Sequence, residues 1–338
     1  MYPAIRDILF RLEAEKAHAL SVNLMRIGGS LAPVRLLLRK WFDVPDKQVK
    51  AFGLTFRNPI GLAAGYDKDG LAWRGLDCLG FGHIEIGTVT PRPQEGNPRP
   101  RLFRLPEDRA LINRMGFPGK GAEFVARRVN KPQPSKLVLG VNLGINRDTP
   151  LDSAGDDYIS LMRTFAPLVD FLVINVSSPN TLGLRSLQAR DLLEDLLQGL
   201  RDERDTLQEQ LKRQVPLLIK LSPDLSDDEL DDALDTITGN NMDGVIATNT
   251  TIGRRDLVSP VAHEIGGLSG MPLSKLSTEM VKKIHARTAG KLIIIGVGGV
   301  MDAQGVREML AAGATLVQLY TGLVYQGPGL VARIMKEL

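Results

Sequence analysis

The most informative stretch of this 338-residue chain is FLVINVSSPNTLGLR, residues 171–185. Its first four residues are apolar, of the kind that form a strand buried on both faces. Amides and hydroxyls follow at once, from Asn175 to Thr181. A buried strand that ends in such residues brings hydrogen-bonding groups to one place. This pattern predicts a binding site at the end of the strand.

The same unit of strand and helix recurs along most of the chain. Helical spacing is found, for example, in 191–211, 226–238, 274–288 and 302–312. A hairpin is predicted over 48–57, with its turn at Gly53. Short apolar strands are predicted near 61–64, 84–87, 137–141, 171–174, 217–221, 244–247, 292–296 and 315–319. Eight such units in about 280 residues predict an α/β fold, a (β/α)8 TIM barrel. A doubly wound open sheet is the alternative, but it needs fewer strands and a switch point.

Composition excludes several classes of protein. The single cysteine, Cys78, rules out an internal disulfide framework and fits a reducing compartment. Four histidines and one cysteine make a zinc site improbable, and we expect no metal. The net charge is +3, yet residues 1–40 hold seven basic and three acidic side chains. The basic excess therefore lies at the N-terminus, and no basic stripe of the kind that binds nucleic acid is found elsewhere.

The N-terminal segment, residues 1–42, is predicted to form two short amphipathic helices ahead of a barrel over 43–338. Apolar residues follow helical spacing from Ile5 to Leu12 and again from Leu31 to Phe42. Gly28, Gly29 and Ser30 are expected to break the two runs, with Ser30 capping the second helix. No apolar run approaches the roughly 20 residues that cross a bilayer. The pair either packs on the barrel or binds an anionic membrane surface.

The barrel prediction places the residues after each strand at one active face. Amides, hydroxyls, glycines and two lysines recur there with few carboxylates, which suits a planar, partly anionic ligand better than a divalent metal. Glycines after the seventh and eighth strands occupy the usual phosphate position of this fold. The residues at or just after the predicted strand ends are Ala64, Gly65, Tyr66, Asp67, Lys68, Thr88, Asn142, Asn175, Lys220, Thr248, Asn249, Thr250, Gly298, Gly299, Tyr320, Thr321 and Gly322.

Four motifs in the same order resemble the dihydroorotate dehydrogenase family: AAGYDKDG (63–70), IGTVTPRPQ (86–94), NRMGF (113–117) and the stretch quoted above. The resemblance covers nearly the whole chain. It implies oxidation of dihydroorotate to orotate in pyrimidine biosynthesis, with flavin mononucleotide (FMN) as cofactor. Leu182 stands where the family often has Pro, and Tyr66 where it often has Leu or Phe. Leu182 is expected to loosen the loop beside Ser178.

The resemblance also indicates the class. The family uses a cysteine base in its soluble class and a serine base in its membrane-associated, quinone-dependent class. Ser178 holds the position of the base here, and the N-terminal helices match the extension through which quinone enters. Both features favour the quinone class and therefore the membrane-surface alternative for residues 1–42.

Site roles follow from the resemblance residue by residue. Ser178 would remove the C5 proton, with Thr181 and a water against Phe117 as relay, because an isolated serine is a poor base. Without the motif, Ser178 would be interpreted as a turn hydroxyl before Pro179. The predicted substrate residues are Lys68 (for the carboxylate), Asn113, Arg114, Met115, Gly116, Phe117, Asn175, Asn180, Asn249 and Thr250. The predicted FMN residues are Ala64, Gly65, Tyr66, Asp67, Lys68, Thr88, Asn142, Asn175, Lys220, Thr248, Gly270, Gly298, Gly299, Tyr320 and Thr321. Lys220 would lie at the flavin N1/O2 edge, where a cation stabilises the reduced ring.

The predicted quinone site comprises His18, Arg104 and Tyr320, and the acceptor would be ubiquinone or menaquinone. We expect a monomer, held peripherally at the cytoplasmic face of a bacterial inner membrane, since no Arg- and Ser-rich leader precedes the helices.

Three other functions are compatible with parts of this pattern. A related FMN barrel could use fumarate or NAD, although fumarate use predicts a cysteine base and no helical extension. A non-catalytic barrel could retain flavin or phosphate binding, although Lys68 and Ser178 are both present. An aldolase-type barrel could use Lys220 as a Schiff-base lysine.

Overall fold

Eight parallel strands close into a barrel in this computed structural model, which describes residues 2–131 and 136–338. Each strand pairs with the next in the chain, and β8 returns to β1, so the predicted (β/α)8 barrel is confirmed. The strands are β1 (Ile60–Leu62), β2 (His83–Val89), β3 (Val138–Leu143), β4 (Phe171–Asn175), β5 (Leu217–Leu221), β6 (Gly244–Ala247), β7 (Ile293–Val297) and β8 (Leu316–Leu319).

Apolar sequence explains why these segments are strands, since seven of the eight are buried along their whole length. Small residues leave room for large ones inside the barrel. A Cβ on Gly140 would lie 2.2 Å from the Phe171 ring, and one on Gly61 would lie 2.0 Å from His83 Nε2. The amino end of the barrel is therefore filled by packed side chains, and a site can form only at the other end.

Helices surround the barrel and begin with recognisable signals. Ser226 and Glu229 form a capping box at one of them, and the Asp302 side chain accepts from Gly305 N at another. The helices are α1 (Tyr2–Leu9), α2 (Ala14–Ser30), α3 (Ala32–Trp41), α4 (Trp73–Asp77), α5 (Ala122–Val129), α6 (Ala154–Phe165), α7 (Arg190–Leu211), α8 (Asp227–Gly239), α9 (Ser274–Arg287), α10 (Ala303–Ala311), α11 (Thr321–Gln326) and α12 (Leu330–Glu337), with short 3-10 turns at Leu151–Ser153, Leu184–Gln188 and Met271–Leu273. Within the described ranges, none of them combines the length and the apolar character that a membrane span requires.

The N-terminal segment holds three helices where two were predicted, and the predicted break at Gly28–Ser30 is wrong. Helix α2 runs through all three residues, and Ser30 Oγ donates to Ile27 O at 2.7 Å instead of capping α3. The reason is tertiary contact: a Cβ on Gly29 would lie 2.4 Å from the backbone nitrogen of Gly75 in α4. Gly29 allows α2 and α4 to pack closely, and it does not end α2.

Two small antiparallel sheets complete the fold. The predicted hairpin is confirmed as strands Val49–Ala51 and Leu54–Phe56. The second sheet was not predicted: Ala110–Asn113 pairs with Leu102–Leu105 on one side and with Gly267–Gly270 on the other. It lies over the carboxyl ends of the strands, because both Asn113 and Gly270 line the cavity found there.

Candidate active site

A cavity of about 1190 Å³ opens at the carboxyl ends of the barrel strands. The structure brings most of the sequence-predicted site residues to its wall. They are Ala64, Gly65, Lys68, Thr88, Asn113, Met115, Gly116, Phe117, Asn175, Ser178, Asn180, Lys220, Thr248, Asn249, Thr250, Gly270, Gly298, Gly299, Tyr320 and Thr321.

Several predicted residues lie outside this wall. The Asp67 carboxylate accepts from Leu71 N and Ala72 N, both at 2.7 Å, and so holds the turn after β1; burial raises its pKa to about 6. Arg114 forms an ion pair with Glu264 at 2.6 Å. Thr181 is half-buried on the loop after Ser178 and does not line the cavity.

A connected set of amides and hydroxyls lies along one side of the cavity. Asn175 Nδ2 donates to Asn142 Oδ1 at 3.0 Å and to Thr88 Oγ1 at 3.1 Å. Thr88 Oγ1 donates in turn to Asn142 Oδ1 at 2.5 Å, which places the fully buried Asn142 behind the wall. Asn249 Nδ2 donates to Asn175 Oδ1 at 3.3 Å. These side chains fix one another, and a ligand therefore meets a preorganised surface.

Ser178 is buried at the cavity wall, and its Oγ accepts from Asn180 N at 3.3 Å. That contact is the turn hydrogen bond expected of an ordinary serine before proline. Asn180 Nδ2 donates to Asn113 Oδ1 at 3.1 Å, so the loop after β4 joins the loop that carries Asn113. The two elements close the same side of the cavity.

The loop after Ser178 is held by Arg185, while Leu182 adds no packing to it. Leu182 itself is 98% exposed and packs on nothing in the described part of the chain. Arg185 holds the loop by donating to Ser177 O at 3.2 Å and to Thr250 O at 3.0 Å, while pairing with Asp224 at 2.8 Å. One guanidinium thus ties together the loops after β4, β5 and β6.

Lys68 projects from the loop after β1, and its Nζ donates to Gly65 O at 2.7 Å. Burial lowers its pKa to about 8, with the charge of Glu15 acting in the opposite direction. At pH 7 most of the lysine is therefore still a cation. Its position at the cavity wall suits a ligand carboxylate.

Two residues of the site were missed by sequence reasoning. Glu85, fully buried on β2, lies 3.6 Å from Lys220 Nζ through its Oε1. Its Oε2 accepts from Gln318 Nε2 at 2.7 Å, and Gln318 lines the cavity. The only signal was a charged residue in the middle of an apolar strand, and the predicted strand began one residue before it.

A second cavity, of about 1060 Å³, lies between the N-terminal helices and the barrel and is lined mainly by apolar side chains from α1, α2 and α11. His18, Leu102 and Tyr320 line both cavities, so the two meet there. Tyr66, predicted at the first cavity, lies at the second, with its ring centroid 5.0 Å from that of His18.

The three residues that the resemblance assigns to a quinone tunnel all line this second cavity. Burial and the nearby Lys68 charge lower the pKa of His18 to about 3, so its imidazole is neutral at physiological pH. Burial raises the pKa of Tyr320 to about 12. Arg104 donates to Leu9 O at 3.0 Å and also to Leu12 O, and it therefore also anchors the end of α1.

A closed barrel with a cavity lined by amides, hydroxyls and lysines at its strand ends, next to an apolar cavity under added helices, is the arrangement of a barrel enzyme. We call the first the polar cavity and the second the apolar cavity. The sequence model of one family, dihydroorotate dehydrogenase, matches residues 47–338. The chain belongs to that family, whose members are flavin-dependent.

Full-length relatives carry a more specific name. A protein of Vibrio parahaemolyticus called dihydroorotate dehydrogenase (quinone) is 47% identical over 341 residues, covering 100% of both chains. A protein of Burkholderia thailandensis with the same name is 46% identical and covers 100% of this chain and 97% of its own. The crystal structure of the Eimeria tenella enzyme in complex with ferulenol is 39% identical, with a TM-score of 0.83 over 90% of this chain and 88% of that one.

Proposed function

We propose that this chain oxidises dihydroorotate to orotate in pyrimidine biosynthesis, with FMN as cofactor and a membrane quinone, ubiquinone or menaquinone, as final acceptor. One observation carries the proposal: the polar cavity and the apolar cavity meet at His18 and Tyr320. A polar substrate and an apolar acceptor then share one electron carrier without entering the same space. The names of the full-length relatives support the quinone.

The residues present fit FMN. Gly298 and Gly299 follow β7 with φ of +135° and +73°, a conformation that exposes backbone N–H groups at the phosphate position of this fold. Lys220 supplies a cation, and Gln318 Oε1 is a buried acceptor without a partner among the described residues. The ring would be held by Thr88, Lys220 and Thr248, and the phosphate by Gly298, Gly299 and Thr321. When bound, FMN supplies the acceptor for the C6 hydride and passes the electrons on.

The chain's own residues would position dihydroorotate and take its proton. Lys68 would pair with the carboxylate, because it lies at the cavity wall with its Nζ donating to Gly65 O. The side chains of Asn113, Asn175, Asn180, Asn249 and Thr250 offer both donors and acceptors, which matches the alternating N–H and C=O groups of a pyrimidine edge. Arg114, Met115 and Gly116 belong to the loop that carries Asn113.

Ser178 would accept the C5 proton as the base. Its hydroxyl needs a path that removes the proton, and Thr181, with a water against Phe117, is our candidate relay. Phe117 supports this assignment, since it lines the cavity with φ of +51°, a constrained conformation held by Gln94 Nε2 donating to its carbonyl at 3.0 Å.

Residues 1–42 would form a separate quinone-entry unit on the barrel of 43–338, and they would hold a monomer peripherally at the cytoplasmic face of a bacterial inner membrane. Exposed apolar side chains on α1 to α3 support this arrangement, among them Leu36 and Trp41, at 73% and 75% exposed.

The test is the visible spectrum of the purified protein, recorded anaerobically before and after dihydroorotate is added. We expect a yellow protein whose flavin bands bleach and then recover when a short-chain ubiquinone is supplied. Recovery with fumarate or NAD alone would replace the quinone by one of those acceptors. Colourless protein, or flavin that stays oxidised, would refute the proposal and favour a non-catalytic or aldolase-type barrel.

A further inference from the structure

Glu85 is a buried carboxylate behind the wall of the polar cavity, and the proposed reaction does not use it. It lies inside the barrel, fully buried, and the side chains of three different strands converge on it. Asn142 Nδ2 on β3 donates to its Oε1 at 2.6 Å and Gln318 Nε2 on β8 donates to its Oε2 at 2.7 Å. Lys220 Nζ on β5 lies 3.6 Å from Oε1.

An ionised carboxylate only accepts hydrogen bonds, whereas a primary amide both donates and accepts. Asn142 and Gln318 must therefore turn their NH₂ groups toward Glu85 and their oxygens away from it. The direction of both amides is thus set by one side chain.

The amide oxygens of Asn142 and Gln318 differ in their hydrogen-bond partners. Asn142 Oδ1 accepts from Thr88 Oγ1 and Asn175 Nδ2, which in turn directs Asn175 Oδ1 toward Asn249. Gln318 lines the cavity, and its Oε1 is buried with no partner among the described residues. A buried acceptor left unpaired costs about 1–3 kcal/mol, so this atom is expected to meet a donor on the ligand.

We propose that Glu85 is a positioning residue: through Gln318 it presents an acceptor to a ring N–H of the flavin, and through Asn142 it fixes which way Asn175 faces the substrate. The proposal rests on the proposed function, because it takes flavin and orotate as the ligands. A neutral amide at position 85 would present one oxygen and one NH₂ group, so one of the two neighbouring amides would have to reverse. With the oxygen still beside Lys220 and Asn142, that amide is Gln318, and the cavity would then offer the flavin a donor in place of an acceptor.

The test compares Glu85→Gln with the wild-type protein by two binding measurements that do not depend on turnover. Flavin affinity is measured by adding FMN to protein stripped of it, and orotate affinity by the shift of the flavin spectrum on titration. We expect Glu85→Gln to raise the Kd of FMN at least tenfold and the Kd of orotate by a smaller factor. Asp170→Asn is the matched control, since Asp170 accepts from Leu139 N at the amino end of the barrel, away from both cavities. An equal loss in the control, or Kd values within twofold of wild type in Glu85→Gln, would overturn the proposal.

A double variant, Glu85→Gln with Gln318→Glu, distinguishes an effect on the direction of the hydrogen bonds from a general disruption of the site. The carboxylate at position 318 would accept from the amide at position 85, whose oxygen would still accept from Asn142, so one consistent direction is restored. We expect it to recover most of the lost flavin affinity; no recovery contradicts the proposal. If Glu85→Gln fails to fold, Gln318→Met tests the acceptor Gln318 Oε1 alone. Unchanged FMN affinity in Gln318→Met would overturn the proposal.

Failure of this proposal and failure of the proposed function are distinguishable. Wild-type protein that binds no flavin, or does not bleach with dihydroorotate, refutes the function. Wild-type protein that bleaches, with a Glu85→Gln variant that binds both ligands normally, refutes only the role of Glu85.

Discussion

Ser178 illustrates how little a single residue reveals of its own chemistry. Its hydroxyl accepts one backbone hydrogen bond, from Asn180, as any turn serine does. Lys68, which we assign to the substrate carboxylate, cannot act as the base while it is cationic. What distinguishes Ser178 is its place at the wall of the polar cavity.

Replacing Ser178 by alanine should slow the reduction of the bound flavin by dihydroorotate about 10²- to 10⁴-fold, the usual contribution of a positioned base. FMN content and orotate affinity should stay near wild type, since the serine holds neither ligand's charge. Anaerobic stopped-flow absorbance measures the rate. Ser186→Ala on the same loop is the control, because Ser186 Oγ only donates to Gly183 O. Fast reduction in Ser178→Ala would assign the base to another group.

Lys68 predicts a pH dependence of ligand binding. Its pKa is lowered to about 8 by burial, and only the protonated form attracts the orotate carboxylate. Below pH 8 the affinity for orotate should be constant. Above pH 8 the Kd of orotate should rise by up to about tenfold per pH unit, until the pH reaches the higher pKa that the bound carboxylate gives the lysine. Spectral titrations from pH 6 to 9.5 measure this. Lys68→Gln should bind more weakly with a flat profile; a rise that persists in Lys68→Gln would point to a different group.

Single residues also divide into those that sequence could find and those it could not. Asn175 and Lys220 follow or end apolar strands, so their positions at the active face were predictable. Glu85 and Gln318 lie inside strands, where alternation between the two faces decides whether a polar side chain points at the barrel axis. That register is set by neighbouring strands far away in sequence.

At the scale of elements, the contact of α2 with α4 joins the N-terminal helices to the barrel. Gly29 lies against the backbone of Gly75, and a Cβ on Gly75 would lie 2.1 Å from Met25 O. Neither helix can carry a side chain at this point without separating. The apolar cavity depends on this contact, since α2 forms one of its walls.

Gly29→Ala should therefore loosen α2 and lower quinone turnover, at a cost of about 1–3 kcal/mol in the docking of the helix. Reduction of the flavin by dihydroorotate should change by less than about twofold, because the polar cavity is formed mainly by the barrel. Paired assays with a ubiquinone analogue and with dihydroorotate alone measure the two half-reactions.

Gly28→Ala is the matched control for that experiment. A Cβ at Gly28 would lie 3.5 Å from Leu38 Cδ1, an ordinary contact. The exchange should even favour the helix by up to about 1 kcal/mol. Equal loss of quinone turnover in both variants would show that helix propensity, and not the contact with Gly75, governs the acceptor site.

The three-stranded sheet over the cavity shows why an element was missed. Its central strand, Ala110–Asn113, is short and pairs with Gly267–Gly270, more than 150 residues further along the chain. Each strand alone has too few residues for a period-2 pattern to stand out. Only the closed barrel brings these segments together, and with them Asn113 and Gly270.

At the scale of the whole molecule, apolar surface is concentrated on the N-terminal helices. Ile5, Ile8, Leu24, Leu36, Leu37 and Trp41 are each between 48% and 75% exposed. Basic side chains are interspersed with them, which is the pattern of helices that lie in a membrane interface.

Leu36→Glu combined with Leu37→Glu should weaken binding to vesicles of anionic phospholipid at least tenfold, since each buried leucine contributes about 1.5–3 kcal/mol. Co-sedimentation with the vesicles measures it, and flavin reduction should be unaffected. Val258→Glu with Ile265→Glu is the control, because these side chains are 74% and 80% exposed but lie on the loop beyond β6. Equal loss in the control would mean that α3 is not the membrane-binding surface.

The sequence by itself determined the barrel, because an apolar strand followed by an amphipathic helix is a local pattern repeated eight times. It also determined most of the polar cavity, because residues after parallel strands must gather at one end. Tertiary structure alone decided the course of α2 through Gly28–Ser30, the sheet over the cavity, and the buried contact of Glu85 with Gln318. Each of these depends on distances between segments far apart in the chain, and a local pattern does not contain that information.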